Sequence, residues 1–167
     1  MAKAFTLVEM TLVLAMLMIL AAALMMMLQS HVIFMRALGS YAFLRDDAPQ
    51  INNMLTGIFG KADTYRIYGS LANAQAKVAP VNTGGTAIWL GFRNPNGSFE
   101  EGIVAFETVG GNKLNFYSFT GGVWNGVPNW TISQQPSTVT FADTNGIVLV
   151  TLTGPMGEQI TYGGTGE

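Results

Sequence analysis

The chain has no cysteine and a single histidine, His31, in 167 residues. The first absence excludes disulfides, thiolate catalysis and Cys-ligated zinc, and leaves the redox compartment open. His31 lacks a second His or a carboxylate at helical spacing, so no metal site or general base is built around it. Charge is scarce as well: charged residues make up 11% of the chain, against roughly a quarter in an average soluble protein. The net charge is −2 and no basic run is present, so nothing in the balance recruits nucleic acid. No Ser/His/Asp constellation and no phosphate-cradling glycine pattern appears. The chain reads as a non-enzyme with no cofactor and no metal site.

What is abundant is apolar surface near the N-terminus. From Ala4 to Met35 the one residue with a formal charge is Glu9, and Met10 to Leu28 contains one polar residue, Thr11. Nineteen helical residues at about 1.5 Å each reach about 28 Å, close to the roughly 30 Å hydrocarbon core of a bilayer. Neither Gly nor Pro interrupts Phe5 to Leu38, and Ala, Leu and Met are strong helix formers, so a membrane-spanning helix over 10–28 is predicted. Counted on to Arg45 through Gly39, it reaches roughly 60 Å and outruns the bilayer. Lys3 and the free amino group ahead of the span, against Arg36 well after it, favour a cytoplasmic N-terminus. A cleaved secretory signal with its cut at Ala21-Ala22-Ala23 is the local rival. It is opposed by the acidic Glu9 inside the apolar region and by the apolar run continuing to Leu28. The methionines of this stretch, Met16 to Met35, read as lipid-facing or bundle packing rather than as a copper site.

A lone ionisable group in such a stretch costs several kcal/mol unless paired, and reads as functional. Its surroundings sharpen this. Lys3-Ala4-Phe5-Thr6-Leu7-Val8-Glu9 followed by the apolar helix resembles the signal of type IV pilins and type II secretion pseudopilins. That resemblance implies a leader over residues 1–4, cleavage between Ala4 and Phe5 by a prepilin peptidase, N-methylation of Phe5, and Glu9 as the fifth mature residue. It further implies assembly through Glu9, which neutralises the N-terminus of a neighbouring subunit within a low-dielectric helical bundle. The implied partners are other pilins or pseudopilins, the peptidase, an inner-membrane assembly platform and membrane lipid. The implied location is the bacterial inner membrane, single-pass, with a periplasmic or filament-borne head. Ala4 stands where the family nearly always has Gly, and Met26 stands where Pro is common.

Beyond the span, Gly39-Ser40 and then Asp46-Asp47-Ala48-Pro49 mark the predicted helix interruption, with Asp46 or Asp47 capping a second helix and Pro49 in its first turn. Ile51, Met54, Leu55, Ile58 and Phe59 form one apolar stripe that is predicted to pack on a sheet. Gly57 and Gly60 point to close packing or helix termination. From about Thr86 the period changes to short runs rich in Val, Ile, Phe, Tyr, Trp and Thr: 87–92, 102–108, 113–119, 138–141 and 147–153. Asn94-Pro95-Asn96-Gly97, Gly110-Gly111-Asn112, Thr120-Gly121-Gly122 and Asp143-Thr144-Asn145-Gly146 separate them. One antiparallel sheet of four to six strands follows, with 159–162 as a possible edge strand and a frayed tail over 163–167.

The predicted class is therefore α+β: a long N-terminal helix over 5–45, then a head over 46–167 with a short second helix on an antiparallel sheet. The order long helix, acidic interruption, amphipathic helix with Asp63-Thr64-Tyr65-Arg66, and strands ending over 147–162 resembles the minor components, in particular the J class of pseudopilins. Asp143, Asn145 and Gly146 mimic half a calcium loop, but Ile147 occupies the next ligand position, so a hairpin turn is predicted. Glu100-Glu101 reads as a solvated strand start. Trp89, Trp124 and Trp130 offer either sheet packing or a sugar-binding face. The latter would suit the rival functional class, a membrane-anchored adhesin or lectin-like module that does not polymerise.

Overall fold

The computed structural model describes residues 6–120, 123–124 and 126–165. The chain divides into two compact units, Met1–Gly39 and Ser40–Glu167. Helix α1 spans Leu7–Ala42 and buries none of its residues. Its 36 residues correspond to about 54 Å at the α-helical rise. It runs through Gly39 and Ser40 without a break, against the predicted interruption. One glycine costs only about 1 kcal/mol relative to alanine, too little to end a helix this long.

The first irregularity is a π-helical turn, Phe43–Asp47, that leads directly into α2, Ala48–Phe59. Pro49 sits in the first turn of α2, as predicted, but neither aspartate caps it. The reason is local: the turn continues the helical ladder, and the Ala48 N–H already donates to the Phe43 carbonyl. No orphan amide is left there for a carboxylate. Asp46 instead accepts from the Arg45 guanidinium at 2.8 and 3.0 Å, an exposed pair of the kind worth at most about 1 kcal/mol.

Nine strands follow among the described residues. Their order in the larger sheet is β1 (Thr64–Tyr68), β2 (Ala87–Arg93), β3 (Phe99–Glu107), β4 (Lys113–Thr120) and β5 (Val123–Trp124), with β6 (Trp130–Ser133) also paired to β4. A second, three-stranded sheet holds β7 (Thr138–Thr144), β8 (Ile147–Thr153) and β9 (Gln159–Thr165). Every ladder is antiparallel. The architecture is thus α+β, but with two sheets in place of one. Thr64, Tyr65 and Arg66, placed with the amphipathic helix in the J-class likeness, lie in the edge strand β1, so the helical pattern invoked for that likeness is absent from that segment. The short α3, Leu71–Ala76, was not predicted either; it starts at Ser70, whose side chain accepts from the Asn73 N–H. The tail is not frayed over 163–165, which pair with β8.

The main core lies on one face of the large sheet. Ile67, Ile88, Leu90, Val104 and Leu114 from that sheet meet Val139, Phe141, Val150 and Leu152 from the small one, with Phe43, Ala48, Ile51, Leu55 and Phe59 packed against them. The α2 stripe is narrower than predicted: Ile51, Leu55 and Phe59 are buried, Ile58 is half-buried and Met54 is exposed. On the opposite face α3 covers a smaller cluster of Tyr68, Ala74, Ala87, Ile103, Ala105 and Tyr117. Gly60 ends α2 as its C-cap, whereas a Cβ on Gly57 would meet nothing within 4 Å. The two sheets are joined at Gly85, which exchanges both backbone hydrogen bonds with Phe141, at 3.1 and 2.7 Å.

Candidate functional site

The first turn of α1 holds Glu9 in a specific arrangement. Thr6 precedes the helix, and its hydroxyl oxygen accepts from the Glu9 N–H at 3.3 Å. In return the Glu9 carboxylate accepts from the Thr6 N–H at 2.8 Å and from the Thr6 hydroxyl at 2.9 Å. Thr6-Leu7-Val8-Glu9 is thus a capping box, in which residues at N-cap and N3 satisfy each other's orphan amides. Such caps are worth about 0.5–2 kcal/mol. The Ser/Thr-x-x-Glu spacing was present in the sequence, and Thr6 is the residue that reading passed over.

Two geometric consequences follow. Both bonds from Thr6 fall on Glu9 Oε2, and Oε1 has no hydrogen-bond donor among the described residues. The carboxylate is therefore positioned at the helix start with one oxygen to offer. Cleavage between Ala4 and Phe5 leaves the Thr6 N–H a peptide amide, so the box does not depend on whether residues 1–4 are present. Ala4 and Phe5 themselves lie outside the described residues.

From Leu7 to Leu28 the side chains of α1 are apolar apart from Glu9 and Thr11, and they are exposed: Leu7, Ile19 and Met26 are 81%, 71% and 67% exposed. Thr11 turns its hydroxyl back onto the Val8 carbonyl at 2.9 Å, so the polar residue of the span needs no outside partner. This is a helix long and apolar enough, by length and composition, to cross a membrane.

The other residues singled out by the sequence scatter over the strand-rich unit. Glu100 and Glu101 point to opposite faces of β3. Glu100 accepts from Asn94 Nδ2 at 2.7 Å. Glu101 takes the Lys77 ammonium at 2.6 Å and the Trp89 indole N–H at 3.1 Å. They share no site. Lys77 reaches Glu101 because it closes α3 in a left-handed conformation, φ 56°, which sets its ammonium 5.0 Å from the centre of the Trp89 ring.

The tryptophans do not form one face. Trp89 and Trp124 pack beside the cluster under α3, the latter donating to the Gln75 carbonyl at 3.2 Å. Trp130 lies opposite Phe116 on the β4–β6 ladder, ring centres 5.7 Å apart, and Phe116 packs on the main core behind the sheet. Asp143 is a hairpin residue, as predicted. One of its oxygens accepts from the Gly146 N–H at 2.9 Å and the other from the Tyr65 hydroxyl at 3.0 Å, while Asn145 and Gly146 take the positive φ angles, 56° and 82°, of a tight β-hairpin turn.

A further polar network was not foreseen. Glu107 accepts from the Tyr117 hydroxyl and from Asn115 Nδ2, and Asn115 accepts from Thr131. Burial, reinforced by the hydrogen bond to Glu107, pushes Tyr117 up to about 12. Asn115 is the buried polar side chain of the sheet, and these bonds satisfy it.

In comparisons with known proteins, no family model, curated protein or solved structure matches the chain.

Proposed function

We propose that this chain is a structural subunit of a type IV pilus or type II secretion pseudopilus, a minor component assembled through its N-terminal helix. The observation that carries the reading is Glu9: a carboxylate fixed by Thr6 at the start of an uncovered apolar helix, with one oxygen uncommitted. In a bundle of such helices an ammonium created by cleavage before Phe5 supplies the missing partner, and pairing in low dielectric favours one axial register. An isolated subunit in lipid lacks that partner, which biases it toward assembly. On this reading the N-terminus is cytoplasmic before extraction, the membrane is the bacterial inner membrane, and no catalysis is involved. The split of the tryptophans between two faces takes support away from a lectin-like module.

The capping box makes the test sharper than a simple charge deletion. Gln at N3 serves in a capping box as Glu does, so Glu9→Gln keeps the helix start and removes only the charge. The expected outcome is normal membrane insertion with loss of incorporation into filaments. Glu9→Gln subunits that enter filaments at the wild-type level would remove the mechanism. Mass measurement of the mature N-terminus is the second arm: a methylated Phe5 supports processing, and an intact Met1 or a cut after Ala23 refutes it.

A further inference from the structure

We propose that the open edge of β1 is a docking strand for an extended segment of another protein that carries an acidic side chain. This does not depend on the assembly reading.

Among the described strands, β1 pairs with β2 alone. Its C-terminal half is closed on the other side, where the Val81 N–H donates to the Ile67 carbonyl at 2.9 Å and Tyr68 bridges Pro80. That bond lies away from β2. Backbone groups alternate along an antiparallel strand, so the N–H and C=O of Tyr65 face the same open side as those of Ile67. Beyond β2 they meet no backbone partner among the described residues. The Tyr65 side chain is anchored at this edge, its hydroxyl donating to Asp143 on the second sheet at 3.0 Å.

Concavities flank this edge on both faces. One, of about 450 Å³, is walled by Thr64, Arg66, Tyr68, Lys77 and Trp89. The other, of about 220 Å³, is walled by Ile67, Val81, Asn82 and Asp143. Tyr65 and Arg66 belong to both. A strand added at the edge sends alternate side chains to opposite faces, one set into each hollow, while main-chain bonds hold it.

Charge selects the occupant. Natural edges are guarded by proline, bulges or charge, and residues 64–66 have only the Arg66 charge. Lys77 is occupied by Glu101, whereas Arg66 pairs with no acid among the described residues. A second copy docking here by two-fold antiparallel pairing through Tyr65 would set Arg66 opposite Thr64, with no carboxylate to meet it. An acidic segment meets the opposite situation.

The experiment uses the full chain in lipid nanodiscs and three synthetic peptides: acetyl-Thr-Val-Thr-Glu-Val-Thr-amide, its Glu-to-Lys analogue, and an analogue with proline at both valines. We expect saturable binding of the Glu peptide with slowed amide exchange at Tyr65, no binding of the proline analogue, and about five-fold weaker binding of the Lys analogue. In Arg66→Gln, an exposed change that leaves the core intact, the Glu-over-Lys preference disappears. The proposal is overturned by no saturable binding of the Glu peptide, by binding that leaves Tyr65 exchange unchanged, or by a preference that survives Arg66→Gln. Saturable, Arg66-dependent binding of D-glucuronate without peptide binding also overturns it, and assigns the hollow to an acidic sugar.

Discussion

Replacing Gly85 by alanine tests how the two sheets are joined. An added Cβ at Gly85 would sit 2.3 Å from Ile67 Cγ2 and 2.7 Å from the Tyr68 carbonyl oxygen. The second contact is backbone, so no side-chain rotation relieves it. Either the 78–86 segment or β1 must shift, and the shift acts on the paired bonds to Phe141 at 3.1 and 2.7 Å. Overpacking of a tight site costs about 1–3 kcal/mol, and weakening two backbone bonds adds about 1 kcal/mol. The sum, about 2–4 kcal/mol, corresponds to a fall in Tm of roughly 8–16 °C for a domain of this size. The assay is thermal unfolding of the full chain in detergent, followed by near-ultraviolet circular dichroism, which reports the packed aromatic rings. Gly57→Ala is the control: its Cβ meets nothing within 4 Å and it lies within α2, where alanine gains about 0.5–1 kcal/mol over glycine. A Tm for Gly85→Ala within about 3 °C of wild type would refute the close approach and with it the described junction.

Two further predictions concern the core and the polar network. Leu55, 1% exposed on α2, is expected to lose about 2–5 kcal/mol on Leu55→Ala, measured by denaturant unfolding; a loss under about 1 kcal/mol would place α2 off the sheets. Tyr117 is expected to deprotonate near 12, in a titration followed by phenolate absorbance. Its folded pKa lies above the ordinary value of 10. The folded state therefore holds the proton more tightly, and the stabilisation is complete below pH 10 and lost as pH rises toward 12. Tyr117→Phe should abolish the step near 12; a titration unchanged by that substitution would contradict the Glu107 bond.

The strands β2, β3, β4, β7 and β8 were legible because two signals agreed, β-rich composition and turn residues with positive φ, whereas the short β5 and β6 were not read from the sequence. The hairpin at 143–146 is the clearest case, with Asn145 and Gly146 in the conformations that Asn-Gly supplies cheaply. Residues 64–66 were misread because they come after an amphipathic helix with only residues 60–63 between, and nothing local says that β2 will recruit them. Likewise, Trp89 and Trp130 look equivalent in sequence, and strand pairing alone sends them to opposite faces.

By itself the sequence determined the N-terminal helix, because its residues favour helix wherever they sit and because uninterrupted apolar character is a property of the chain, not of its contacts. It also determined Glu9 as the anomaly in that helix, and Thr6 three residues before it as the means of holding it. Only the tertiary structure decided that the strands form two sheets, that Gly85 is where they meet, and that β1 presents an unpaired edge bearing Arg66. Those facts depend on pairings between residues far apart in the chain, whose partners are chosen by which apolar faces close over a common core.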